Sequence, residues 1–189
     1  MALRIYGNRQ LKTLPGRDTR PTPARVREAV FNIWQPIAGC RWLDLCAGSG
    51  SMGAEALCRG AASAAAIELS PRACQIIKQN WQQVATSEQP FRVLRGDVAK
   101  RLKSLSGEPF DRIYFDPPYG SDLYEPVLEA IAIERLLAPG GELIAEHDPK
   151  REMVEIPGLA IVRRKVYGST ALTFYSGSQG DACDRPAGN

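Results

Sequence analysis

From Arg41 onward, short apolar runs alternate with segments of helical periodicity. Strands separated by a helix-length segment pair in parallel, because the helix carries the chain back across the sheet. WLDLC, SAAAIEL, FRVLRGD, FDRIYFD and GELIAEH supply the strands, and helices are expected from near Ser51, Pro71, Val98 and Asp122. In the second of these helices Ala73, Ile76, Ile77 and Trp81 fall on one face. Past His147 the pattern changes: VRRKVYG and ALTFYSG are joined by Ser169 and Thr170 alone, too short for a crossover helix, so this pair is antiparallel. The expected fold is α/β and Rossmann-like, a seven-stranded, mainly parallel sheet with helices on both faces and a C-terminal antiparallel strand pair.

Ahead of that core lies a basic leader. Residues 1–30 carry Arg4, Arg9, Lys12, Arg17, Arg20, Arg25 and Arg27 against Asp18 and Glu28, a balance of +5, so the remainder holds −2 of the net +3. An arm for a polyanion is the reading this asymmetry favours. Within it Thr22 can cap a helix whose first residue is Pro23, with Val26, Val30, Ile33 and Trp34 on one face and Pro36 ending the pattern. The chain divides into an N-terminal extension (1–36), a catalytic domain (37–177) and a disordered polar tail (178–189). With 44% hydrophobic and 24% charged residues in 189, one core is expected. No run approaches a membrane span or a secretion signal, and a cytoplasmic protein is expected. The cysteines, Cys40, Cys46, Cys58, Cys74 and Cys183, are odd in number and lack C-x-x-C spacing, so buried thiols are expected and neither disulfides nor a metal.

The first strand runs into LDLCAGSGSMGAEAL, where Gly48, Gly50 and Gly53 spell G-x-G-x-x-G between strand and helix, and Glu68 lies 20 residues beyond Gly48. Such a loop lets backbone approach a ligand, with Ala47 alongside, while a carboxylate ending the next strand accepts from ribose hydroxyls. The motif alone does not separate a nicotinamide dinucleotide from S-adenosylmethionine. Asp44, just before the turn, is expected to face the ligand; it would repel a pyrophosphate by about 4 kcal/mol and attract an ammonium. That favours the sulfonium cofactor, with Asp97 and the backbone N–H of Val98 meeting its adenine.

FDPPY, Phe115 to Tyr119, follows the fourth strand, beyond the carboxyl ends of the strands near the switch point, where ligands bind on open α/β sheets. An amino group on an aromatic ring is a poor nucleophile because its lone pair is delocalised. The Asp116 carboxylate and the Pro117 carbonyl can accept from such an NH₂ and turn its lone pair toward a methyl group, while Pro117 and Pro118 fix the backbone and remove two N–H donors. Tyr119 offers a face for a flipped base.

With these motifs, the stretch RPTPARVREAVFNIW (Arg20 to Trp34) and the closing VYGSTALTFY, the chain resembles the bacterial 16S rRNA (guanine(966)-N(2))-methyltransferase family. The resemblance covers nearly everything before the tail. It implies a class I methyltransferase fold and methyl transfer from S-adenosylmethionine to the exocyclic 2-amino group of one guanine in 16S ribosomal RNA, in the assembled small subunit, by a monomer without a metal. It also implies that Asp116, Pro117, Pro118 and Tyr119 serve the target base and that Asp44, Glu68 and Asp97 serve the cofactor. Arg4, Arg9, Lys12, Arg20, Arg25 and Arg27 are the expected RNA contacts. One departure stands out: the family's basic-Gly-basic element is replaced by GNRQLKTL, with Gln10 and Leu11 in its place. The competing readings are an amino methyltransferase for DNA adenine, another RNA base or protein glutamine, a nicotinamide-dependent oxidoreductase, and a noncatalytic RNA-binding protein. His147, the sole histidine, reads as structural.

Overall fold

The computed structural model describes residues 2–14 and 23–177. Arg17, Arg20, Thr22, Cys183 and the tail 178–189, on which several expectations fall, lie outside the described residues. The chain opens on an antiparallel hairpin, β1 (Ala2–Ile5) and β2 (Arg9–Lys12), closed over Tyr6–Asn8. Then come α1 (Ala24–Ile33), β3 (Arg41–Leu45), α2 (Ser51–Cys58), β4 (Ser63–Glu68), α3 (Pro71–Val84) and β5 (Phe91–Arg95). The second half holds α4 (Val98–Leu102), β6 (Phe110–Phe115), α5 (Tyr124–Ile133), β7 (Leu137–His147), β8 (Leu159–Tyr167) and β9 (Thr170–Gly177). Strands β3 to β9 form a seven-stranded sheet in the order β5-β4-β3-β6-β7-β9-β8, parallel from β5 to β7 and antiparallel at β7-β9 and β9-β8.

The period-2 alternation of each strand places one core on each face of this sheet. Trp42, Ala64, Ala66, Tyr114, Ile144, Leu172 and Phe174 pack with α1, α2, α3 and the hairpin, whose Ile5 and Leu11 are buried there. Leu43, Leu45, Ile67, Ile113, Phe115, Leu143 and Tyr175 pack with α4 and α5 on the other. Helices therefore cover both faces, as the alternating pattern implies.

The elements differ from the sequence expectations at their ends. Pro23 sits in extended backbone as the residue before α1, so the helix starts at Ala24. β7 begins at Leu137, ahead of GELIAEH, because Pro139 and Gly140 bulge out where the register with β6 shifts between Phe110 and Arg112. The hairpin was not anticipated. Of the four described cysteines, all free, only Cys74 is buried; Cys40, Cys46 and Cys58 are half-buried. Among the described residues no helix is long and apolar enough to cross a membrane.

Candidate active site

Between β3 and β6 the chain reverses its direction of travel across the sheet, which opens a crevice at the carboxyl ends of the strands. The glycine loop, the ends of β4 to β7 and the start of β9 line a cavity of about 820 Å³ there, within the size range of small-molecule sites. Asp116 is held at the crevice by its backbone N–H, which donates to the Leu45 carbonyl at 3.2 Å.

The three glycines of the loop have different duties. Gly48 has φ +55 and open space where a Cβ would stand, and its N–H donates to Glu68 Oε2 at 2.9 Å. Gly50 and Gly53 are absent from the cavity wall. A Cβ on Gly53 would lie 2.2 Å from the Trp81 ring and one on Gly50 2.8 Å from Trp81 Nε1, so both glycines exist to admit that indole, whose N–H donates to the Gly50 carbonyl at 2.7 Å. The loop is tied down further by Asn80, fully buried, whose Nδ2 donates to the carbonyls of Ser49 and Lys12 while its Oδ1 accepts from Lys12 N, each at 2.9 Å.

Asp44 does not face the ligand. It is buried beneath the loop, accepts from Gly53 N at 3.1 Å and is not part of the cavity wall. Burial, more than the nearby Glu68 charge, pushes its carboxyl up to about 8, the Gly53 N–H opposing. The electrostatic case against a pyrophosphate therefore cannot rest on Asp44. A carboxyl raised in the folded state contributes stability that is full below about pH 4 and lost as pH rises through about 8. Asp44→Asn keeps an acceptor for Gly53 and removes that loss, so its melting temperature relative to wild type should climb between pH 5 and 9. Thermal melts across that range check this; a constant gap would refute it.

Ala47, Gly48, Glu68, Asp97 and Val98 do line the cavity. Glu68, half-buried at the end of β4, also accepts from Ser70 N at 2.8 Å, and Asp97 caps α4 by accepting from Lys100 N at 3.0 Å. Across the crevice stand half-buried Asp116, buried Pro117, exposed Pro118 and half-buried Tyr119, all on the wall.

Two residues that sequence reasoning missed complete this side. Glu146, near the end of β7, is buried on the cavity wall, its Oε1 accepting from the Tyr119 hydroxyl at 2.8 Å and its Oε2 from the Tyr114 hydroxyl. Tyr119 spends its only proton on Glu146, so the Thr170 hydroxyl, 3.0 Å away, donates to it. Burial raises the Glu146 carboxyl above the usual range and the two tyrosine hydroxyls oppose that rise. Cys46 also lines the wall, its thiol pushed far up by burial. Altogether the described wall carries four carboxylates, Glu68, Asp97, Asp116 and Glu146, and no Lys, Arg or His.

Of the expected RNA contacts, Arg4, Arg9, Lys12 and Arg25 are exposed, Arg9 donating to the Gln83 carbonyl at 3.3 Å and Lys12 to Gln79 at 2.9 Å. Arg27 is not available. It is buried, its Nε 2.6 Å from Glu55 Oε2 and its Nη2 donating to the Arg4 carbonyl at 2.7 Å, while Arg59 holds the other Glu55 oxygen at 2.8 Å. His147 is structural as read: Nδ1 faces the Asp148 carbonyl, which can only accept, so Nε2 accepts from the Thr173 hydroxyl, both at 2.8 Å. Burial lowers its pKa, which keeps the ring neutral. Among the described residues no group of three or more His, Cys, Asp or Glu could hold a metal ion.

Residues 3–176 match the family model described as conserved hypothetical protein 95. The chain is 34% identical over 171 residues to YlbH of Bacillus subtilis (strain 168), provisionally named an rRNA methyltransferase, with 88% of this chain and 92% of that protein covered. It is 31% identical over 179 residues to ribosomal RNA small subunit methyltransferase D of Escherichia coli (strain K12), covering 92% of this chain and 89% of that one. A solved structure of yhhF from Escherichia coli, provisionally named a methyltransferase, superposes with a TM-score of 0.79 at 30% identity over 94% of this chain and 98% of that one. The architecture is that of the class I methyltransferases.

Proposed function

The chain belongs to the conserved hypothetical protein 95 family, and on that premise we propose that it transfers a methyl group from S-adenosylmethionine to the 2-amino group of a guanine in small-subunit ribosomal RNA. One observation carries the reading: a cavity whose described wall holds four carboxylates and no cation stands directly against the FDPPY loop. Such a wall favours a ligand with a sulfonium and an ammonium and opposes a pyrophosphate, which replaces Asp44 as the argument against a nicotinamide dinucleotide. The donor set also fits. Gly48 leaves room for close approach, and Glu68 at the end of β4 and Asp97 just past the adjacent β5 stand where a ribose diol and an adenine amino group can donate to them.

S-adenosylmethionine, when bound, supplies an electrophilic methyl group. The protein's own part is placement. The Asp116 carboxylate and Pro117 carbonyl accept from the target amino group and aim its lone pair, contributions of orientation more than of bond chemistry. Tyr119, its hydroxyl fixed by Glu146 and Thr170, presents a steady ring to the base. Arg4, Arg9, Lys12 and Arg25 supply phosphate contacts on the hairpin and α1.

The test is to map radioactive methyl from S-adenosylmethionine onto free 16S RNA and onto small subunits, both from a strain lacking this gene. Label on a guanine 2-amino group is the expected result, with subunits the better substrate. Label on an adenine 6-amino group, or tight NAD binding by calorimetry, would reverse it.

A further inference from the structure

β6 and β7 run parallel with Phe115, the last residue of β6, opposite Ala145; Asp116 and Glu146 each follow this paired position, and both line the cavity. The mechanism above uses Asp116 and leaves Glu146 with only its hold on tyrosine. Yet both hydroxyls donate to Glu146, one to each oxygen. A carboxylate offers about four lone-pair sites, so it retains acceptor capacity on the wall and no capacity to donate. Two acceptors side by side match an edge with two adjacent donors. Guanine has that edge, N1–H beside its 2-amino group; adenine, cytosine and 2-aminopurine each set an acceptor nitrogen beside the amino group.

We infer that Glu146 accepts the N1–H of the target guanine while Asp116 holds the neighbouring 2-amino group, so that the pair of carboxylates selects the base. This rests on the proposed methylation of guanine. Before the base enters, Tyr114 and Tyr119 fix the carboxylate in place, and a base with an acceptor at N1 meets it lone pair against lone pair. The discrimination is then set by the edge of the base as well as by the shape of its slot.

The experiment uses the full chain and small subunits reconstituted on ligated 16S RNA in which the guanine mapped with the wild-type enzyme is replaced by 2-aminopurine, which keeps the 2-amino group and turns N1 into an acceptor. The wild type should prefer guanine by about a hundredfold or more in kcat/KM, as sites that hydrogen-bond a substrate N–H do. In Glu146→Gln the buried Tyr114 hydroxyl keeps the amide oxygen on its side, which turns an amide N–H toward Tyr119 and the cavity. That N–H can donate to N1 of 2-aminopurine, so the preference should shrink to about tenfold or less or invert.

Equal loss on both bases in Glu146→Gln would mean that Glu146 only positions Tyr119, and would overturn the inference. So would equal turnover of both bases by the wild type, a measurement that needs no variant to fold. A wild type that labels no guanine amino group fails differently: the functional reading falls first and takes this inference with it.

Discussion

Asp116→Ala should lose methyl transfer by at least about a hundredfold in kcat while retaining most of its affinity for S-adenosylmethionine, because the contact removed orients the acceptor nitrogen and not the methyl donor. The geometry favours a clean separation. Asp116 is anchored by its backbone to Leu45, while Glu68 ends β4 and Asp97 lies just past β5, on the other side of the crevice. Single-turnover rates with saturating subunits, beside calorimetric cofactor binding, read the two halves independently. Near-normal turnover in this variant would remove Asp116 from the mechanism. A parallel fall in cofactor affinity would move it to the cofactor side of the crevice.

Arg27→Ala should cost about 3 kcal/mol of stability, the scale for removing one partner of a buried ion pair. For a chain of this size that lowers the melting temperature by roughly 6–12 °C. Arg59 still meets one oxygen of Glu55, but the other, which Arg27 approaches at 2.6 Å, is left inside the protein, and the Arg4 carbonyl loses its donor. Arg25, on the exposed side of the same helix, gives the opposite pattern. Arg25→Ala should alter stability by no more than about 0.5 kcal/mol and flatten the dependence of log affinity on log salt by about 0.7 to 0.9 on small subunits. A thermally neutral Arg27→Ala that weakened RNA binding would restore it to the RNA-facing set.

Those two arginines show where the sequence stops being legible. Counting charge along the leader treats both as solvated, although Arg27 falls beside Val26 and one helical turn before Val30 and Phe31, on the stripe that packs inward. Helical periodicity marks that position as buried; what no local pattern supplies is Glu55, brought to it by α2. The parallel strands and the reversal at the C-terminus were legible because alternation and connection length leave few other ways to build a sheet. The hairpin was not, since β1 and β2 are four residues each and bury chiefly Ile5 and Leu11; the turn residues Gly7 and Asn8, both at positive φ, were its available signal. In the site, FDPPY, Gly48 and Glu68 announce themselves by motif. Glu146 reads only as a polar residue in the alternation of a strand, and Thr170 as part of a turn. It takes the register of β7 against β6 and β9 to bring them to Tyr119.

The placement of β9 between β7 and β8 bears on how the molecule is made. Synthesis proceeds from the N-terminus, so for a time β7 is complete while the strand that covers its far edge does not yet exist. During that interval the nascent chain exposes the edge of β7 from Glu142 to His147 with no neighbour on one side, the kind of surface that invites pairing with other chains. β8 cannot relieve it, because in the sheet β8 pairs with β9 and not with β7. The same late strand delivers Thr170 to Tyr119. The sheet closes and the substrate side of the crevice is finished in one step, when residues 170–177 leave the ribosome. Chains interrupted before that point would carry the FDPPY loop without its last support and a bare strand edge beside it, a form that holding chaperones would be expected to retain.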